Sequence, residues 1–210
     1  EEIPGRTAVK TYLIEAHPPD SGTDGKTKLL GQLAHQLGAF VKETDDPDLV
    51  EIDVPSKQAA QSEFWCDTSM GRFWRLHTIA KVDPADRFSD QLTGASPWLD
   101  KVWLPPRYLR DLPTHLGGRM QTFSLRHNRR SLRPNKSHLG ELDFVTMRLW
   151  ASDAASRLAK LQESDVFPHG LSMSSVRLES GRDADDEPLC VAEYFHHGKV
   201  TVTGNSFDEH

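Results

Sequence analysis

Cysteine is scarce in this sequence: Cys66 and Cys190 are the only two among 210 residues, and they stand far apart. Such a pair provides neither the framework of a disulfide-stabilised domain nor the close spacing typical of zinc sites. We therefore expect no metal site, no cofactor and a reducing, cytoplasmic environment. A chain of this length, with 37% hydrophobic residues, can build a core without disulfide bonds.

Long apolar runs are also missing. None approaches the roughly 20 residues that cross a membrane, and the amino-terminal residues lack the pattern of a secretion signal. The sequence therefore predicts no contact with a membrane. Because the chain starts at Glu1 without a methionine, we interpret it as one compact domain of a larger protein, whose other domains are expected partners.

Hydrophobic periodicity in residues 1–56 predicts a β-α-β segment. Alternation predicts a strand at 7–16, apolar spacings of three and four from Leu29 to Val41 predict a helix, and residues 49–54 predict a second strand. Residues 141–210 are interpreted as β-α-β-β-β, with a helix that begins near Ser152 and strands at 142–151, 171–180, 188–197 and 199–204. Together these patterns indicate an α+β fold, a mostly antiparallel sheet with helices packed on one face.

The middle segment, residues 57–140, is rich in aromatic residues and proline. We predict one strand at 72–82, and short helices and loops elsewhere. Five apolar residues are expected to pack beneath them: Trp98, Leu99, Val102, Trp103 and Leu104.

The fragment Gly25-Lys26-Thr27 matches the end of the phosphate-binding pattern G-x-x-x-x-G-K-[ST]. Asp20 replaces the first glycine of that pattern, and a carboxylate there would repel phosphate oxygens. The preceding strand carries Lys10 and Glu15, whereas the strand in nucleotide-binding proteins of that type is apolar and buried on both faces. We therefore interpret the fragment as a polar loop at the start of a helix.

Acidic residues are missing between Asp111 and Glu141, although the whole chain has a net charge of −6. Clustered arginines bind phosphate oxygens through paired hydrogen bonds and release condensed counterions. We predict that this basic segment binds nucleic acid, either DNA or RNA. Phe123 or Tyr108 would offer a stacking face to an unpaired base. The phosphate contacts would come from the basic residues Arg126, Arg129, Arg130, Arg133 and Lys136.

Three alternatives remain open. The basic segment can dock on an acidic protein surface, and a partly exposed surface around Trp98 and Trp103 would indicate a protein-interaction domain. Glu141 and Asp143, with a histidine, could hold a metal in a phosphoester hydrolase or nuclease. Because no local nucleophile signature appears, and Cys66 is interpreted as a buried side chain, we assign no catalytic residue and favour a non-catalytic recognition or sensor module.

Overall fold

The computed structural model describes residues 8–19, 22–55, 62–128, 144–150, 153, 156–157, 160, 171–181 and 188–204. In this part of the chain there are eleven strands and three helices. The first elements are β1 (Ala8–Ala16), α1 (Thr23–Gln36), β2 (Phe40–Glu43), β3 (Leu49–Val54), β4 (Ser62–Asp67), β5 (Phe73–Thr78), α2 (Val82–Gly94) and β6 (Leu99–Lys101). They are followed by α3 (Pro106–Leu116), β7 (Arg119–Asn128), β8 (Phe144–Trp150), β9 (Leu171–Ser180), β10 (Cys190–Phe195) and β11 (Lys199–Gly204).

The fold is α+β with antiparallel strand pairing, which confirms the predicted fold class. The chain divides into two compact units. Unit 1 contains residues 1–103 and 197–202, and unit 2 contains residues 104–196 and 203–210. The predicted segments 1–56, 57–140 and 141–210 do not coincide with these units, because the late strand β11 lies beside β1.

Unit 1 has the strand order β2-β3-β4-β5-β1-β11, and β6 also pairs with β1. Alternate residues of each strand point to the same face of a sheet, and one face of this sheet is apolar. Helices α1 and α2 pack on that face, so both contribute to a single core. Its members that are fully buried include Ile14, Leu30, Ile52, Phe64, Trp74, Leu76 and Leu92.

The end of α1 differs from the prediction. The helix ends at Gln36, and Phe40 and Val41 belong to β2, so the predicted extension of the helix to Val41 is wrong. Gly38 adopts a φ of 73°, the left-handed conformation that commonly ends helices. The opening of the chain is therefore β-α-β-β, with β2 and β3 paired as an antiparallel hairpin.

The middle segment also differs in part. The strand predicted at 72–82 is the shorter β5, but β4 was not predicted, and it lies between β3 and β5. Leu99 is buried as expected, whereas Trp98 and Trp103 are 44% and 61% exposed. The expectation that these two tryptophans pack beneath the segment is therefore wrong.

Unit 2 has the strand order β10-β9-β7-β8. The predicted strands at 142–151, 171–180 and 188–197 appear as β8, β9 and β10, and the one at 199–204 appears as β11. The helix predicted after β8 lies largely outside the described residues. Helix α3 packs against β9. The buried core of this unit consists of Leu109, Leu112, Met120, Phe123, Leu125, Met173, Val176 and Leu178.

In the described part of the chain, no helix is both long enough and apolar enough to span a membrane.

Candidate functional site

The predicted nucleic-acid contacts fall partly outside the described residues. Those not described are Arg129, Arg130, Arg133 and Lys136, and the same holds for the alternative metal ligands Glu141 and Asp143. These positions fall within residues 129–143, and the residues on either side are described, because Asn128 of β7 pairs with Phe144 of β8. Arg126 lies two residues before Asn128 and pairs with Thr146, so the structure places it near both of these flanking residues.

Strand pairing identifies the neighbours of Arg126 in unit 2. Arg126 pairs with Thr146 on β8 and with Ser172 on β9. Residues that pair across neighbouring strands have their side chains on the same face of the sheet. The pairs between β9 and β10 extend the face that carries Arg126 as far as β10. We call it the arginine face. It is formed by Arg119, Thr122, Ser124, Arg126, Thr146, Arg148, Trp150, Ser172, Ser175, Arg177, Glu179, Val191, Glu193 and Phe195.

The two aromatic residues predicted to stack on a base do not lie on the arginine face. Phe123 is 0% exposed and belongs to the core of unit 2, so its ring has no face open to a ligand. Tyr108 is 48% exposed, but it lies on α3, which packs on the core side of the sheet through Leu109 and Leu112. Its ring contacts His115, with 6.4 Å between ring centres.

The side chain of Arg148 extends across the arginine face towards β10. Its Nη2 donates to Glu193 Oε2 at 2.8 Å, although β8 and β10 are separated by β7 and β9. Neighbouring strands are about 4.8 Å apart, so the two side chains together bridge about 14 Å. The residues between them, Ser124 and Ser175, are buried and short, which leaves room for the long side chains above. Ser175 Oγ also donates to Glu193 Oε1, at 3.0 Å.

Trp150 is the most exposed aromatic residue that the pairing places on the arginine face. Its side chain is 69% exposed, and the guanidinium carbon of Arg148 lies 5.4 Å from its ring centre, a cation–π distance. Trp150 is not among the contacts predicted from the sequence. A signal was present, because Thr146, Arg148 and Trp150 alternate with Val145, Met147 and Leu149 along β8.

The charges on the arginine face sum to a positive value. Two carboxylates lie on it: Glu193 pairs with Arg148, and Glu179 accepts hydrogen bonds from Arg119 and Gln121. Arg126 and Arg177 add two further positive charges. Among the described residues of this face, arginines therefore outnumber glutamates, although the chain as a whole is negative.

The Gly25-Lys26-Thr27 fragment lies in the first turns of α1 in unit 1. Lys26 Nζ donates to the carbonyl oxygen of Thr68 at 2.9 Å and lies 3.5 Å from Asp48 Oδ1. The ammonium group therefore links α1 to the ends of β3 and β4. A cavity of about 390 Å³ beside Lys26 is also lined by His17 and Arg72. Both of these side chains contact Glu15, whose carboxylate balances the positive charge of Arg72.

Cys66 and His77 do not form a nucleophile and base. They are carried by adjacent strands but point to opposite faces, because His77 pairs with Trp65 whereas Cys66 pairs with Leu76. Burial, together with the charge of Asp67, raises the pKa of the Cys66 thiol to about 12. His77 Nδ1 is hydrogen-bonded to Thr11 Oγ1 at 2.9 Å. Among the described residues there is also no cluster of three or more metal-binding side chains.

A buried polar cluster lies between β1, α2 and β11 of unit 1. Lys199 Nζ and the Tyr12 hydroxyl both donate to Asp86 Oδ1, each at 2.6 Å, and Lys10 Nζ donates to the carbonyl oxygen of Ala80 at 2.6 Å. Lys10 and Lys199 are only 4% and 6% exposed. These hydrogen bonds join residues of α2 to residues of β1 and β11, so we interpret the cluster as a structural link between α2 and the sheet.

This cluster shifts the pKa values of Asp86, Lys10 and Tyr12. Burial acts to raise the pKa of Asp86, but hydrogen bonds from Lys199 and Tyr12 outweigh it, so the pKa lies below its ordinary value. Burial, followed by the nearby charge of Lys199, lowers the pKa of Lys10. Burial and the hydrogen bond to Asp86 raise the pKa of Tyr12.

Comparison with known proteins gives a family for the chain. The profile of the family described as MJECL33-like protein matches residues 1–210. One similar protein is the uncharacterized protein MJECL33 of Methanocaldococcus jannaschii, which is 21% identical over 246 aligned residues. The alignment covers 99% of this chain and 56% of the relative, so the chain spans about half the length of that protein. Since the family profile matches the whole sequence, the chain belongs to the MJECL33-like family.

Proposed function

We propose that the protein is a non-catalytic recognition module that binds nucleic-acid phosphates through unit 2. The observation that carries the proposal is the arginine face, where Arg126, Arg148 and Arg177 lie on three neighbouring strands. Guanidinium groups bind phosphate oxygens through two parallel hydrogen bonds. A face that presents several of them suits a chain of phosphates better than it suits a single anion.

The basic segment supports the same ligand. Arg126 belongs to the basic segment and lies near Asn128 and Phe144, the described residues on either side of residues 129–143. The sequence between those two residues carries four basic residues, Arg129, Arg130, Arg133 and Lys136, and two acidic residues, Glu141 and Asp143, so its net charge is positive. Together the face and the segment supply the contacts expected for sequence-independent phosphate binding, which weakens steeply as salt increases.

The test is a fluorescence anisotropy titration of labelled oligonucleotides at low and moderate salt. We expect Arg129→Glu/Arg130→Glu to weaken binding to all sequences to a similar degree. The matched control, Arg87→Glu/Arg107→Glu, reverses two exposed charges on α2 and α3 and should bind like the wild-type protein. ATP with magnesium should not compete. Absence of binding at low salt, or equal losses in the two variants, would refute the proposal.

A protein-interaction surface is the second candidate function. Trp98 and Trp103 of unit 1 are 44% and 61% exposed, and large exposed aromatic side chains are enriched at protein interfaces. If this surface binds a protein, Trp98→Ala/Trp103→Ala should abolish the complex while oligonucleotide binding stays unchanged. The basic segment can also dock on an acidic protein surface, and poly-glutamate would then compete with oligonucleotides.

The metal-dependent hydrolase stays an alternative, since its candidate ligands Glu141 and Asp143 lie outside the described residues. Magnesium-dependent release of product from a phosphoester would favour it over a recognition module. The cytoplasmic location likewise stays a prediction, and it rests on the scarcity of cysteine.

A further inference from the structure

We propose that the arginine face selects single-stranded nucleic acid, because Trp150 stacks on an unpaired base while Arg148 contacts an adjacent phosphate. This inference rests on the proposed function and names its substrate class. Trp150 is 69% exposed and lies at the end of β8, on the same face as Arg148 and Arg126. The indole is therefore accessible from the side on which phosphates are expected to bind.

An unpaired strand suits this pair of side chains better than a duplex does. Arg148 and Trp150 are two residues apart on β8 and lie on one face of the sheet, so one strand can place a base on the indole and a neighbouring phosphate near the guanidinium group. Inside a duplex, moreover, both faces of a base are covered by its neighbours, so that none is free for the indole.

Arg148 is held in position for this role. Glu193 fixes one end of its guanidinium group at 2.8 Å, and the group lies 5.4 Å from the centre of the Trp150 ring. Aromatic side chains combined with arginine form the usual platform for single strands, since every base has a π face. Charge complementarity favours nucleic acid as the occupant, because arginines outnumber glutamates on the arginine face while the chain as a whole is acidic.

The experiment compares three labelled probes of equal phosphate number, each about 12 nucleotides long: a thymine single strand, a hairpin duplex and a strand without bases. The variants are Trp150→Ala and Trp150→Phe in the full chain. Trp103→Ala is the matched control, because Trp103 is 61% exposed but lies in unit 1. Comparison of probes on the wild-type protein keeps the test independent of how any variant folds.

We expect the wild-type protein to bind the thymine strand about tenfold or more tightly than the other two probes. Trp150→Ala should lose about tenfold in affinity for the thymine strand and nothing for the strand without bases. Trp150→Phe should retain most of the affinity, and Trp103→Ala should retain all of it.

Two results would overturn the inference in distinguishable ways. If binding depends on salt but the wild-type protein treats all three probes alike, or if Trp150→Ala matches Trp103→Ala, the stacking role is refuted and the proposed function survives. If no probe binds at low salt, both are refuted. Displacement of the thymine strand by poly-glutamate at equal charge concentration would also refute the inference, because it would indicate a face for acidic proteins.

Discussion

Arg148 has two competing partners on the arginine face. Its guanidinium group pairs with Glu193 at 2.8 Å, and the same group would have to contact a phosphate in the proposed complex. A guanidinium group has five donors, so it can keep one partner while it gains another. The carboxylate of Glu193 nevertheless repels a phosphate that approaches Arg148. Glu193 therefore holds Arg148 in place, and in the proposed complex it would limit the affinity for phosphate.

Neutralising Glu193 tests this balance. We expect Glu193→Gln to bind oligonucleotides roughly two- to tenfold more tightly, because repulsion is removed while an amide oxygen can still accept from Arg148. Glu63→Gln removes an exposed carboxylate from β4 of unit 1 and serves as the charge-matched control. Equal effects of the two substitutions in an anisotropy titration would mean that Glu193 acts only through the net charge.

Asp86 makes the stability of unit 1 depend on pH. Its pKa is lowered in the folded protein, so its stabilising effect is complete above the ordinary aspartate pKa of about 3.9. The effect is lost as the pH falls through the lower, folded value. The carboxyl group is 42% exposed, and solvent therefore weakens its hydrogen bonds with Lys199 and Tyr12.

Asp86→Asn should reduce the free energy of unfolding by about 1 kcal/mol near neutral pH, after allowance for this exposure. The difference from the wild-type protein should shrink as the pH falls from about 4 through the lower pKa of the folded state, because the unfolded state binds the proton first. Urea unfolding at several pH values measures both effects, and Asp45→Asn, at an exposed turn, is the control. A difference that grows towards acid pH would contradict the assignment.

At the scale of elements, the alternation of apolar and polar residues predicted the strands well where one face of the strand is buried. β1, β3 and β9 were predicted to within one residue of their observed ends. The end of α1 was mispredicted, because Phe40 and Val41 continue the helical spacing past Gly38. That spacing does not show that the backbone turns left-handed at Gly38.

The candidate site was predicted only in part, for a related reason. The absence of acidic residues between Asp111 and Glu141 was sufficient to indicate Arg126 and the basic segment as candidates. The arginine face depends on pairing between β7, β8 and β9, which are distant in sequence. Without that register, Phe123 was chosen as a stacking residue although it is buried, and Trp150 was overlooked.

The turn before β11 offers a test at the same scale. Gly198 has a φ of 76°, and a Cβ atom there would lie 2.4 Å from the carbonyl oxygen of Val102 and 3.2 Å from that of Leu13. The Gly198 carbonyl also accepts a hydrogen bond from the Leu13 amide at 2.9 Å. A side chain at this position would therefore push β1 and the residues after β6 away from the turn.

Gly198→Ala should lower the free energy of unfolding by about 3 kcal/mol or more, because it combines backbone strain with a clash. Gly38→Ala is the matched control: its φ is 73°, but a Cβ atom there would have no neighbour within 4 Å. It should cost only the strain of the left-handed conformation, about 1–2 kcal/mol. Equal losses in chemical denaturation would show that the close approach to Val102 is absent.

At the scale of the whole molecule, the acidic chain carries a basic region confined to unit 2. A net charge of −6 repels nucleic acid in general, so binding must come from local contacts. The number of those contacts is measurable, because each phosphate that a cation neutralises changes the salt dependence of binding by a fixed amount.

The most direct measurement is the slope of log affinity against log salt concentration for a labelled single strand. For single strands the slope changes by about −0.7 for each phosphate contact. Arg126→Gln/Arg148→Gln should therefore reduce its magnitude by about 1.4, whereas Arg87→Gln/Arg107→Gln, on α2 and α3, should leave it unchanged. A flat slope in the wild-type protein, or the same slope in all three proteins, would contradict phosphate binding by the arginine face.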